Sequence, residues 1–190
     1  MTRKLLPLMF VFCLLPLNAP AQEKTLKLEG MPDFLARHEE FLQPLNELYD
    51  DLESENLPLR DDAGQLLARR NIEDRRKALN DLLITVHELV PAPQDLVVTT
   101  RLFVQTESVS DDLFDLAQIS YNNNREELGK RFSDIQITTD QQLELLEPYM
   151  LSLAAEKQER LRDLEKENSA LKEKLKQAQA PAKDKLSRRQ

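Results

Sequence analysis

Apolar residues recur at steps of three and four along most of this chain, which is the period of helices that bury one face. The first such pattern begins at Pro32, and Pro44 lies inside it. Because proline has no amide hydrogen to donate inside a helix, we expect the helix to kink or restart at Pro44. Asn56-Leu57-Pro58 then marks a turn after a run of acidic residues.

A second helix is predicted from about Asp62 to Val90, with Asp62 and Gln65 forming a capping box at its start. Its early turns hold a cluster of basic residues, which comprises Arg69, Arg70, Arg75, Arg76 and Lys77. Pro91-Ala92-Pro93 ends this helix. Such a short connection predicts that the second helix and the helix after it form an antiparallel hairpin.

A third helix is predicted from about Pro93 to Asn122. The β-branched residues at 97–100 would also suit a strand, but the helical period continues well beyond the usual length of a strand. Gly129 has the residue type of a helix C-terminus and is expected to end this region. The apolar residues between Gly129 and Thr139 are then expected to lie in a connecting segment that folds back onto the body of the protein.

The last helix is predicted to begin at Thr139, with Gln142 completing a capping box. Its first half is apolar around most of its circumference, so it should have several neighbours, and Pro148 should kink it. After Ala155 the composition changes to Glu, Lys, Gln and Arg, and a narrow apolar seam remains. Its members follow the 3-4-3-4 spacing of coiled-coil a and d positions: Leu161, Leu164, Asn168, Leu171 and Leu175.

This seam predicts a parallel two-stranded coiled coil between two copies of the chain. Asn168 falls at an a position, where its amide is satisfied only opposite another Asn. The flanking charges agree, since Arg160 would face Glu165 of the partner subunit and Glu167 would face Lys172 of the partner subunit. Each such exposed pair contributes about 0.2–1 kcal/mol, so the pairs would set the register. The alternative is a solvated helix whose leucines touch their own bundle.

The pattern as a whole predicts an all-α fold, an antiparallel helical bundle of three to four helices with a long C-terminal helix extending as a coiled coil. The predicted segments are a signal peptide at 1–21, a bundle domain at 22–153, a coiled-coil extension at 154–179 and a disordered basic tail at 180–190. The seam is out of heptad phase with the apolar stripe before it. This break in the heptad pattern is a stutter, which is one extra step of four residues. At the stutter we expect the packing partner of the last helix to change from the bundle to another helix.

Residues 1–21 have the features of a secretory signal peptide. Arg3 and Lys4 precede 13 mostly apolar residues, and Ala19-Pro20-Ala21 supplies a cleavage pattern before Gln22. A membrane span needs roughly 20 apolar residues, so we expect cleavage and export, periplasmic or secreted, with no span left in the membrane. Cleavage would remove the single cysteine and lower the formal net charge from −8 to about −10. Disulfides, thiolate metal sites and nucleic-acid binding are therefore not expected.

Composition agrees with helices, because 32% of the residues are charged, 5% are aromatic and only three are glycine. Asp111-Asp112-Leu113-Phe114-Asp115 resembles the D-D-x-x-D motif of helical prenyl transferases and terpene cyclases, and this resemblance implies carboxylates that hold a Mg²⁺ ion bridging to a diphosphate. A Mg²⁺-dependent diphosphate-binding enzyme is therefore a remote alternative. His38 and His87 are the only histidines, and they do not have metal-ligand spacing. Glycine-rich phosphate loops and nucleophile motifs are absent, so we expect no catalytic residue, cofactor or metal.

Ile137-Thr138-Thr139-Asp140-Gln141 is similar to the L-T-x-x-Q motif of small periplasmic helical stress chaperones. The similarity covers five residues with Ile in place of Leu, and a capping box has the same letters. It implies a holdase-type chaperone as an alternative function. The function expected from the whole sequence is that of an exported, non-enzymatic interaction or structural protein, with a second copy of itself and unknown envelope proteins as partners.

Overall fold

The computed structural model describes residues 25–54, 59–61 and 63–187, with side chains as far as Gln177. The predicted signal peptide and its cleavage site lie outside these residues. The helices are a short 3₁₀ turn at Leu28–Gly30, α1 at Met31–Leu42, α2 at Pro44–Ser54, α3 at Arg69–Leu89, α4 at Leu96–Asn122 and α5 at Glu126–Ser187. The described residues form no strand, only an isolated bridge between Arg60 and Leu66. The predicted all-α bundle with a long C-terminal helix is confirmed.

α1 and α2 follow one another along α3 and both run antiparallel to it. Glu39 of α1 pairs with His87 near the end of α3 at 3.2 Å, whereas Asp50 of α2 pairs with Arg76 near its start at 2.8 Å. The predicted interruption at Pro44 is confirmed, because α1 ends one residue before Gln43 and α2 starts one residue after it. Pro44 occupies the first position of α2, where a missing amide hydrogen is tolerated.

α3 and α4 form the predicted antiparallel hairpin. Arg75 pairs with Asp112 at 3.1 Å, and Glu88 pairs with Arg101 at 2.6 Å, so rising numbers on one helix meet falling numbers on the other. Asp95 caps α4, since its carboxylate accepts the amide hydrogens of the second and third residues of the helix at 2.9 and 3.1 Å. α4 therefore begins three residues later than the proline pattern predicted, at Leu96.

α4 and α5 are antiparallel as well. Ser110 donates a hydrogen bond to Asp140, and the Tyr149 hydroxyl donates to the carbonyl of Pro93 at 2.8 Å. Tyr149 therefore lies beside the α3–α4 turn, at one end of the bundle. α5 passes this end, and Leu153 is its last buried residue. The result is an up-and-down four-helix bundle from which α5 extends.

The core is apolar, and most of its buried hydroxyls are satisfied within their own helices. Five side chains donate to the carbonyl oxygen four residues earlier, namely Thr85, Thr99, Thr106, Ser120 and Thr139. The largest fully buried side chains include Phe34, Tyr49 and Phe132. Phe132 belongs to the segment expected to fold back onto the body, and it does contact the core.

The predicted start of the second helix at Asp62 is wrong, because α3 begins at Arg69. The residues before it form a compact turn in which the Gln65 amide donates to the Asp61 carboxylate at 2.8 Å. Gly64 has φ = 74°, a left-handed conformation that glycine adopts readily and a helix excludes. Asp62, the predicted cap, lies outside the described residues.

The predicted roles of Gly129 and Thr139 at helix ends are also wrong, since α5 begins at Glu126 and contains both residues. α4 stops instead at its asparagines, where Asn124 has φ = 58°, and Asn residues tolerate this conformation better than most. Gly129 is buried against the ring of Tyr121, and Thr139 is buried in the helix interior. A capping motif indicates only a local preference. Because the residues before Thr139 are helical, the motif lies inside α5 and not at its start.

α5 continues as one helix through Pro148 to Ser187. The helix therefore includes most of the segment 180–190 for which the sequence predicted disorder, and the last three residues lie outside the described part. Ala, Lys and Leu in this segment are good helix formers, which favours continuation of the helix.

Substitution of Gly129 by Ala should destabilise the protein, although Ala is the better helix former. A Cβ at this position would lie 2.8 Å from two carbons of the Tyr121 ring and 3.0 Å from Cγ, so the ring would have to move. We expect the free energy of unfolding, measured in urea, to fall by about 1–3 kcal/mol. In a Tyr121→Ala background the same change should raise it by up to about 1 kcal/mol. Stabilisation by Gly129→Ala alone would contradict the tight contact.

Candidate interaction surface

The extension of α5 makes no contact with the bundle that covers its side chains. Between residues 155 and 177 every side chain is exposed except Asp163, which is half-buried. At a rise of 1.5 Å per residue, the helix from 155 to 187 is about 50 Å long. A helix of this length, without a tertiary contact, gains its stability from intrahelical interactions or from a partner.

The predicted seam lies on this free extension. The side chains of Leu161, Leu171 and Leu175 are 59–61% exposed, Leu164 is 39% exposed, and Asn168 is exposed. The alternative in which these leucines touch their own bundle is therefore not what the structure shows. The seam is a row of apolar side chains that nothing in the described chain covers.

Two sets of charged residues on the extension differ in their contacts. Two pairs form within the helix, Asp163 with Lys166 at 3.1 Å and Glu173 with Lys176 at 2.8 Å. Those residues lie away from the seam. The predicted interhelical charges flank the seam and form no ion pair within the described residues: Arg160, Glu165, Glu167 and Lys172. Their charges are accordingly available to a second helix.

The D-D-x-x-D motif lies against a basic residue of the neighbouring helix. Arg75 is largely buried and pairs with Asp112 at 3.1 Å and with Asp115 at 3.7 Å, while Asp111 is exposed. Desolvation of the half-buried carboxyl raises the pKa of Asp112, and Arg75 opposes this effect. Two of the three carboxylates are thus engaged by a guanidinium that holds α3 to α4. In the described chain no group of three His, Cys, Asp or Glu side chains could hold a metal ion.

The two histidines are in different environments. His87 is exposed and pairs with Glu39 on the surface, at 3.2 Å. His38 is fully buried, stacks on Phe34 and meets Thr106, whose Oγ1 lies 3.3 Å from Nε2. Because the Thr106 hydroxyl donates its own hydrogen to a backbone carbonyl, His38 Nε2 is the donor of this bond, and Nδ1 has no hydrogen-bond partner among the described residues. Burial lowers the pKa of His38 to about 4, so the ring is neutral near pH 7.

Sequence reasoning missed what the basic cluster of α3 does. Arg76 pairs with Asp50 at 2.8 Å and Glu53 at 3.7 Å, and its guanidinium lies 5.7 Å from the centre of the Tyr49 ring. Two members of the basic cluster therefore join helices, since Arg76 binds the acidic run of α2 and Arg75 binds the carboxylates of α4, whereas the other three pair within α3. In an antiparallel arrangement the basic cluster of α3 lies opposite the acidic runs of α2 and α4. This opposition of charges is the sequence signal from which the contacts can be predicted.

The segment that is similar to the L-T-x-x-Q motif lies in the interior of α5. Thr138 and Thr139 donate to carbonyl oxygens one turn earlier, and Asp140 accepts hydrogen bonds from Ser110 and Gln136. Ile137 is half-exposed on the outer face of the helix. In this chain the motif letters join α5 to α4 and form no cap.

Within the described residues, none of the helices combines the length and apolar character that a membrane crossing requires. Comparison with known proteins found no matching family model, no matching curated protein and no matching solved structure.

Proposed function

We propose that the protein is an exported, non-enzymatic interaction protein that associates with a second copy of itself through the extension of α5. The observation that carries this proposal is the row of exposed leucines on a helix that has left its own bundle. Each leucine that becomes fully buried in a coiled coil contributes about 1.5–3 kcal/mol. The charged residues beside the seam, which form no ion pair within the described chain, are complementary to the same residues of a second copy.

Export is part of this proposal and rests on the sequence. The apolar segment after Arg3 and Lys4, followed by Ala19-Pro20-Ala21, supports cleavage before Gln22. A scaffold or spacer in the cell envelope fits a chain with a small bundle, a long extension and no catalytic motif. Envelope proteins are then the class of further partners that we propose.

A charge placed in the seam tests self-association. We expect the mature chain to have the mass of a dimer in light scattering, and Leu164→Lys or Asn168→Lys to halve that mass, because a lysine buried in the seam loses its hydration without gaining an opposite charge. Leu151→Lys is the matched control, since Leu151 is 58% exposed on the same helix but outside the seam. This variant should remain a dimer with unchanged helix content. A mass that is the same for all variants would contradict the proposal.

A holdase-type chaperone is the second candidate, and exposed apolar side chains on the bundle favour it. Val97 and Val104 of α4, and Ile137 and Leu151 of α5, are each more than half exposed. A client would bind these side chains, and charge in the seam would leave them unchanged. Suppression of client aggregation by the Leu164→Lys variant, at near-stoichiometric amounts, would therefore favour the chaperone over the self-associating scaffold.

A further inference from the structure

The seam lies on the same side of α5 as the stripe that faces the bundle. The stripe consists of Leu143, Leu146, Met150 and Leu153, all buried or half-buried. Eighteen residues later stand Leu161, Leu164, Asn168 and Leu171. Since eighteen residues make five turns of an α-helix, the two sets of side chains point in the same direction, about 27 Å apart along the axis. The stutter that breaks the heptad count therefore preserves the face of the helix.

The bundle ends on this side of α5, directly before the extension. Tyr149 donates to the carbonyl of Pro93, which places the α3–α4 turn beside α5 at this level. Leu153, one turn further, is the last buried residue of α5. A second helix packed on the seam would lie about 8–10 Å from α5, in line with the interior of the bundle.

A parallel pair is incompatible with this position of the bundle. In such a pair both stripes face the axis between the two α5 helices, so both bundles would have to fit between them. Side chains included, one helix is already about 10–12 Å across, and the seams hold the two α5 helices only about 8–10 Å apart. To make room, the two α5 helices would have to bend apart between Leu153 and Leu161, within about 12 Å of an otherwise continuous helix.

An antiparallel pair avoids this conflict, because the partner's helix then ends at Ser187 of the partner subunit, about level with Leu153, where the bundle also ends. Resting on the self-association proposed above, we propose that two copies of the chain pair antiparallel through their extensions, with the two bundles at opposite ends of one rod. The occupant of the seam is thus the same seam of a second copy, in reverse direction. This differs from the parallel pairing that the sequence alone predicted.

The residues of the seam accommodate the reversed direction. With Leu164 opposite Leu175 of the partner subunit, Asn168 faces Leu171 of the partner subunit, and the two Asn168 side chains are about 4.5 Å apart along the axis. Their amides can then meet across adjacent layers. Beside the seam the same register places Glu165 near Lys172 of the partner subunit.

The other side of the seam has opposite charges as well, since Glu167 lies near Lys174 of the partner subunit in this register. By symmetry each of these contacts occurs twice, so four pairs of opposite charge border the seam. Four attractive pairs also arise in the parallel arrangement. The charges thus permit the antiparallel register, and the position of the bundle selects it.

Distances between spin labels at two sites distinguish the two directions. The only cysteine lies in the predicted signal peptide, so Glu159→Cys and Ala170→Cys each add a single thiol to the mature chain, and both positions are exposed outside the seam. Ala170 lies at the centre of the antiparallel overlap, so its label has nearly the same distance in both arrangements. The two labels at position 159 of a dimer would be about 30 Å apart along the helix axis in the antiparallel arrangement. In the parallel arrangement they would lie at the same level.

We expect the distance distribution for Glu159→Cys to be centred roughly 15 Å or more beyond that for Ala170→Cys, as the axial offset requires. Equal distances in a protein of dimeric mass would overturn the antiparallel arrangement and leave self-association intact. A monomeric mass for the unlabelled mature chain would overturn both. Circular dichroism of each variant confirms that labelling has preserved the helix.

Discussion

We expect the free energy of unfolding to fall by about 2 kcal/mol between pH 7 and pH 5 because His38 is buried as the neutral ring. Its pKa is about 4 in the folded protein and near 6.5 in the unfolded chain. The unfolded state therefore binds more protons in this interval. The stabilising contribution is complete above pH 6.5 and is lost as the pH falls toward 4. Urea denaturation at a series of pH values measures it.

Two variants assign this pH dependence to one ring. His38→Leu fills a similar volume between Phe34 and Phe41 and leaves the Thr106 hydroxyl bonded to its own helix, so the variant should fold. Its stability should change much less over the same interval. His87→Asn alters the exposed histidine and should retain the wild-type slope. An unchanged slope in His38→Leu would show that other groups cause the dependence.

Truncation of Phe132 should have the largest effect of any single change considered, with Phe132→Ala lowering the free energy of unfolding by about 3–5 kcal/mol. The ring is fully buried in the first turns of α5, and its removal leaves a cavity among large neighbours. The measurement is urea unfolding followed by helix content.

Ile137→Ala is the matched control, because Ile137 lies five residues later on the outer face of the same helix. Its effect should be within about 0.5 kcal/mol, as is usual for exposed positions, and the helix propensity of Ala favours the change. Equal losses for the two variants would mean that the segment before Thr139 is not anchored through Phe132.

The helices could be predicted wherever the apolar period was sustained and proline interrupted it. Pro44 separated α1 from α2, and Pro91 and Pro93 located the hairpin of α3 and α4, because a missing amide hydrogen acts locally. The extension could also be located, since its composition changes at the point where α5 leaves the bundle. These features depend on residues that are close in sequence.

Features that could not be predicted from the sequence depend on contacts between residues that are distant along the chain. The sequence predicts a helix end at Gly129, whereas in the structure the absence of a side chain there lets the ring of Tyr121, from the preceding helix, pack closely against α5. The D-D-x-x-D match includes Asp112 on local sequence alone, whereas in the structure Arg75, 37 residues away in sequence, pairs with it. The direction of the proposed pairing also depends on distant residues, because the residues of the seam permit both directions and the position of the bundle favours the antiparallel one.

The buried hydroxyls of the bundle have a consequence for how its helices are aligned. Most of them donate within their own helix, as Thr85, Thr99 and Ser120 do, so they would stay satisfied if one helix slid past another by a turn. The correct alignment must then come from the fit of apolar side chains and from polar contacts that join different helices. Arg75 with Asp112 and His38 with Thr106 are contacts of this kind. Substitutions at Thr85, Thr99 and Ser120 should therefore be tolerated more readily than substitutions at these four residues.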